Sequence, residues 1–176
     1  MRADRQMKRF IRKLERRLEG LEVPAEPQRF FNMVAEELSV LRGRQCAILL
    51  VAFPREIGAS GVWLDLGTRD VIAIESGTRF SHQLVIFGHE LGHMLAGDCG
   101  THGVEGLEAF LAHTLGGPAP VRTAARTSFA EAEEAEAERC GHRFKLAFSR
   151  FAEGDPSRGE MGDVGHRINA TLGRRF

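Results

Sequence analysis

Residues 81–96 read SHQLVIFGHELGHMLA, and how this stretch is assigned decides the fold. It reads as an α-helix despite the internal glycines Gly88 and Gly92. Ser81 can cap its start, and Gly97 sits where a helix commonly ends. On a helix, residues four apart share a face about 6 Å from each other, so His89 and His93 can chelate one metal ion. Glu90 adjoins His89 and is near enough to take a proton from water activated at the ion without being a ligand itself. Chance gives only about 0.03 such His-Glu-x-x-His matches in a chain of this composition, taking positions as independent. The bland alternative is a helix with two surface histidines and an ordinary glutamate, and the apolar setting after a strand pair weighs against it. His82, seven residues before His89, shares the face and is a candidate to line the same cleft.

Outward from this helix, the preceding stretches read as strands. CAILLVAF (46–53) is short and wholly apolar, consistent with a buried strand, and Pro54 stops it. VWLDL (62–66) alternates, GTRD (67–70) turns the chain, and VIAIES (71–76) returns. The economical sheet is small, three-stranded and mostly antiparallel. Near the N-terminus, Met7, Phe10, Ile11, Leu14 and Leu18 recur at three- and four-residue spacing, an amphipathic helix over 4–19 that Gly20 ends. Past Pro24 and Pro27 the pattern resumes over 28–42. Residues 98–128 are loop-rich, with one short helix expected near 105–114, and a further helix spans 129–151. The expected architecture is α+β in a single domain over 1–176, zincin-like, with the HExxH helix beside a glutamate-bearing helix. Within it, 1–44 form N-terminal helices, 45–151 a core, and 152–176 a loosely held tail.

A catalytic zinc site takes a third protein ligand and leaves a fourth position open. The metzincin continuation needs glycine at 96 and histidine at 99, where this chain has Ala96 and Cys99. Asp98, Cys99 and His102 remain as loop candidates. The other source is FAEAEEAEAERCGHRFKLAF (129–148), whose apolar stripe runs through Ala137, Cys140 or Gly141, Phe144, Phe148 and Phe151. Carried backward, that stripe turns Glu134 toward the core, where a lone carboxylate costs several kcal/mol unless a cation pairs with it. Glu133 and Glu136 are the alternatives, with Glu131 and Glu138 behind them. The other glutamates read as a solvated acidic face near a helix N-terminus, which the dipole favours. The chain has no tyrosine to stabilise an oxyanion; His113, His142 and His166 are the available imidazoles, and none is singled out.

Composition excludes several classes. Lys plus Arg number 24 and Asp plus Glu 24, which argues against a general nucleic-acid binder. The balance hides local excess: 1–20 carries eight basic and three acidic side chains, and 131–138 carries five glutamates. The basic helix reads first as a solvated face, then as a surface for an acidic partner, and last as a DNA contact. Cys46, Cys99 and Cys140 are odd in number and widely spaced, which fits a reducing compartment. The longest apolar run, Cys46 to Phe53, is far below the roughly 20 residues a membrane span needs. No secretory signal is legible, and a cytoplasmic location is expected.

With these motifs in place, the chain resembles the ImmA/IrrE family of small bacterial zinc metallopeptidases over roughly residues 45–151. That family carries HExxH on one helix after an apolar strand pair, and a Glu-x-(Glu/Gln)-Ala-Asn-x-Phe-Ala pattern on a later helix. HELGH (89–93) matches fully. In the second motif Glu134 and Ala137 fall on the ligand and small-residue positions, while Glu138, Cys140 and Gly141 replace Asn, Phe and Ala. The resemblance implies Zn2+ held by His89, His93 and Glu134, with Glu90 as the base. It also implies a regulatory peptidase that relieves repression by cleaving a helix-turn-helix repressor encoded beside it; some relatives lie in toxin–antitoxin-like gene pairs. Two rival functions stand beside this: a non-catalytic zinc-binding module acting by binding its partner, and a zinc hydrolase of a small amide.

Overall fold

Apolar side chains spaced by three and four over the first forty residues form two helices that pack their Phe, Leu and Met faces inward. In the computed structural model, which describes residues 2–97, 110 and 131–153, these are α1 (Arg2–Arg17) and α2 (Pro27–Arg42). The first therefore lies two residues earlier than its periodicity suggested, and buried Leu18 closes a final turn onto the Leu14 carbonyl at 2.9 Å. Glu26 caps α2 by accepting from the amides of Gln28 and Arg29. At the other end Gly43 takes the left-handed conformation, φ 66°, that releases the chain into the sheet.

Strands β1 (Gln45–Val51), β2 (Gly61–Asp65) and β3 (Arg69–Glu75) form one sheet in the order β1-β3-β2. The expected antiparallel pairing holds for β2 and β3, with Trp63 opposite Ile72. β1, however, pairs with β3 in parallel, Ile48 opposite Ile72, so the sheet is mixed. The cause lies in burial. Val71, Ile72, Ala73 and Ile74 are all buried, both faces at once, so β3 takes the central place. The chain leaving β1 passes through a 3-10 turn (Arg55–Ile57) and returns at the far edge as β2. β1 is thus an edge strand, half-buried at Ala47, Leu49, Leu50 and Val51 despite its unbroken apolar run. The β2–β3 turn is tighter than GTRD: Gly67 at φ 77° donates to Asp65 Oδ1 at 2.8 Å, and Arg69 and Asp70 belong to β3.

The HELGH segment is helical, as α3 (Phe80–Ala96), and closes on Gly97 at φ 84°, whose amide reaches the His93 carbonyl at 3.1 Å. Ser81 does not cap it. Arg79 occupies that place without a side-chain bond, and packing sets the start instead, with Phe80 against Phe30 and Phe31 at 5.4 and 5.8 Å between ring centroids. The last described helix, α4 (Glu131–Glu153), adds Phe144, Phe148 and Phe151 to the same aromatic core. Cys46, Ile48, Trp63, Ile72 and Ile74 face this core from the sheet, while Val62, Leu64, Val71 and Ala73 form a smaller cluster behind it with Phe53 and Ile57. The class is α+β, with four helices and a three-stranded sheet among the described residues. None of these helices is long and apolar enough to cross a membrane. The short helix expected near 105–114, apart from Phe110 itself, and the tail beyond Glu153 lie outside the described residues.

Candidate metal centre

The site depends on how closely α3 and α4 approach, and glycine sets that distance. A Cβ on Gly88 would lie 2.6 Å from the Phe144 Cβ and 2.9 Å from the Gly141 Cα; one on Gly141 would lie 2.7 Å from the Val85 carbonyl oxygen. Gly92 in turn lies against Ala137, at 3.0 Å from its Cα on the same construction. The two helices therefore touch backbone to backbone, and theirs is the most extensive contact between any two of the described elements. Two turns before Gly141 on α4, this proximity carries Glu134 across to the histidines of α3.

The three groups converge. His89 Nε2 and His93 Nε2 are 3.0 Å apart. Glu134 places Oε1 3.2 Å from His89 Nε2 and Oε2 3.7 Å from His93 Nε2. Among the described residues this is the group able to hold a metal ion, with all its ligand atoms within 4.8 Å of one another. Tetrahedral bonds of about 2.0–2.1 Å to nitrogen or oxygen set neighbouring ligand atoms roughly 3.3–3.4 Å apart, and the observed separations straddle that value. The chemistry agrees with the geometry. Two imidazole nitrogens facing each other and a carboxylate need a proton or a cation between them. Two imidazoles and one carboxylate suit a divalent transition metal. His93 is buried, whereas His89 and Glu134 are half-buried, so the group is reached from their side.

Glu90 stands next to this group and outside it. Its carboxylate accepts the Trp63 amide of β2 at 3.0 Å. Gly61, two residues before, leaves room for it, since a Cβ there would come within 3.1 Å of Glu90 Oε1. Part of the residue reaches solvent, but protein crowds the carboxyl, and this burial pushes its pKa up to about 7. The Trp63 hydrogen bond works against that shift, and the nearby Glu134 charge adds to it. Trp63 is in turn fixed by its indole, whose Nε1 donates to Asp70 Oδ1 at 3.0 Å. Asp70 is fully buried and also accepts from Arg44 (2.7 and 2.6 Å) and Arg42 (2.9 Å). Burial alone would raise the Asp70 pKa, but these donors overcome it and hold the carboxyl below the usual carboxylate value.

Of the candidate third ligands, Glu134 is the one brought to His89 and His93. Glu131 and Glu138 are exposed, and Glu133 is half-buried without joining the group. Glu136 instead accepts the Asp4 amide of α1 at 3.3 Å. His82 is exposed and also outside the group, and His142 is exposed on α4. Asp98, Cys99, His102, His113 and His166 lie outside the described residues. Sequence reasoning missed the Trp63 amide and the buried Asp70. The first is a backbone group, invisible to any motif, and the second stood in what looked like a turn. No protein-family model, curated protein or solved structure matches the chain.

Proposed function

We propose that this protein is a zinc metallopeptidase of the kind its two motifs resemble, the ImmA/IrrE type, acting on a helix-turn-helix regulatory protein. The observation that carries the reading is the division of labour among four side chains. Three offer ligand atoms to one point, and the fourth, Glu90, is held beside them by a backbone amide without joining them. Zinc bound there would supply Lewis-acid chemistry, polarising a carbonyl and making water a nucleophile near neutral pH. His89, His93 and Glu134 bind and orient. Glu90 accepts the proton of the attacking water at its carboxylate and returns it to the leaving amide nitrogen. The Trp63 amide keeps that carboxylate aimed while the proton is in transit. A cytoplasmic setting fits the widely spaced cysteines, of which Cys46 and Cys140 are outside any disulfide.

The test has two arms. Zinc content is measured on purified wild type and Glu134→Ala: one zinc per chain, reduced in the variant, is expected, and a wild type that takes up no zinc when resupplied would refute the reading. A helix-turn-helix regulator, sought first in the reading frames beside the gene, is then incubated with zinc-loaded wild type or Glu90→Gln, and its intact mass followed. Cleavage by wild type alone supports the peptidase. Relief of repression by both proteins without cleavage would replace it with a zinc-bound module that acts by binding.

A further inference from the structure

A second surface lies away from the metal centre, between α1 and α4. Ile11 and Ala147 line a groove of about 350 Å³, and Leu146 on its wall is 81% exposed, the most exposed large apolar side chain described. The remaining lining is charged and mostly basic: Lys8, Arg12 and Arg143 against Glu15. Asp4 already engages Lys8 at 3.1 Å and Arg143 at 3.0 Å. Arg12 is different. With Arg5, Arg9 and Arg16 it forms a row spaced by four, three and four residues along α1, and none of the four makes an ion pair among the described residues. On α4, Arg139, Arg143, Leu146 and Arg150 repeat the same helical spacing. Each helix thus carries a row of cations, of which Arg12 and Arg143 line the groove beside the exposed Leu146.

We propose that this groove docks an acidic amphipathic helix of a protein partner, its apolar side chains beside Ile11 and Leu146 and its carboxylates against the arginine rows. The periodicity selects a helix, because carboxylates repeating at three and four residues meet cations that repeat likewise, and an apolar face between two helices is the usual seat for a third. The lining selects protein over nucleic acid. Ile11, Leu146 and Ala147 offer apolar surface that suits leucines and not a phosphate backbone, and no aromatic side chain lines the groove for a base to stack on. α4 rises about 1.5 Å per residue, so Arg143 to Ala147 lie roughly 14–20 Å along the axis from Glu134. Docking therefore leaves the metal ligands untouched and does not depend on the peptidase reading.

The probe is a fluorescein-labelled peptide of about 18 residues with leucines on one helical face and glutamates flanking them, titrated with the full chain and followed by anisotropy. Leu146→Ser and Arg12→Glu are each expected to weaken binding by at least about tenfold; both positions are exposed, so the fold survives, as circular dichroism will verify. Glu134→Ala is expected to bind like wild type even where zinc is lost, which separates failure of this proposal from failure of the metal-site reading. A shuffled peptide of equal charge without an apolar face is expected to bind at least about tenfold more weakly. Equal binding of the shuffled peptide, or wild-type binding by both groove variants, would overturn the proposal. So would tighter binding of short duplex DNA or of vesicles containing phosphatidylserine.

Discussion

Replacing Gly141 by alanine tests the contact on which the candidate metal centre rests. The new methyl would sit 2.7 Å from the Val85 carbonyl oxygen and 3.3 Å from the Val85 Cγ1, whereas ordinary van der Waals contact begins near 3.4 Å. The near partner is backbone inside α3, so no side-chain rotation relieves the clash, and the helices must part by about 0.7 Å. Overpacking of this kind costs about 1–3 kcal/mol. The larger consequence is local. Metal–ligand bonds tolerate about ±0.2 Å, so Glu134 can follow the histidines only by leaving its present rotamer. Zinc affinity, measured by competition against a chromophoric chelator, should fall on the order of tenfold to a hundredfold. Phe148→Leu is the control: it opens a cavity in the aromatic core and lowers the melting temperature, yet it does not stand between the helices at the glycine contact. Below its melting range it should bind zinc like wild type. Wild-type zinc affinity in Gly141→Ala would refute the idea that backbone contact between α3 and α4 sets the ligand spacing.

Glu90→Gln should keep one metal per chain, because Glu90 lies outside the ligand group; loss of metal in this variant, read by mass spectrometry, would redraw the site. Asp70→Asn leaves Arg42 and Arg44 without their buried partner and should destabilise the fold by about 3–5 kcal/mol in a denaturant titration. Since the folded pKa of Asp70 lies below its usual value, its contribution is complete above about pH 4 and is lost as pH falls through the folded value. Wild-type melting temperatures should therefore drop in acid more steeply than those of Asp70→Asn, and parallel curves would refute that account. Burial raises the thiol pKa of Cys46 and of Cys140 to about 11, so both should resist alkylation near neutral pH until the chain is unfolded, as peptide mapping will read.

Much of this was legible because local periodicity and metal chemistry both act through residue spacing. The 3.6-residue repeat placed Phe144, Phe148 and Phe151 on the buried face of α4 and, by the same phase, turned Glu134 inward. His89 and His93 needed only the i, i+4 rule. What the sequence concealed depends on elements distant along the chain. The parallel pairing of β1 with β3 follows from which strand has both faces covered, and that depends on helices placed elsewhere. Asp70 looked like turn chemistry because its partners, Arg42 and Arg44, precede it by 28 and 26 residues. Gly88 and Gly92 looked like interruptions of an otherwise good helix, and Gly141 like one place on an apolar stripe, yet these glycines are the reason the two helices meet.

Some of these concealed contacts form one connected chain. The Arg42 and Arg44 side chains, at the junction of α2 and β1, hold Asp70 in β3. Asp70 holds the Trp63 indole, and the Trp63 amide holds Glu90. A strand edge is ordinarily a row of unmet donors, and here one of those donors is occupied by the carboxylate proposed to move the proton. Hence the candidate metal ligands and the proposed base are positioned by different means. The ligands depend on helix–helix distance, set by glycines on α3 and α4. The base depends on where β2 sits, set by a buried ion cluster on the sheet. Gly141→Ala should therefore impair metal binding while leaving the Glu90–Trp63 contact in place. Asp70→Asn should loosen β2 beneath Glu90 while the two helices keep their spacing. A protein whose metal affinity fell equally in both variants would have one common scaffold for ligands and base, and the separation argued from these contacts would be wrong.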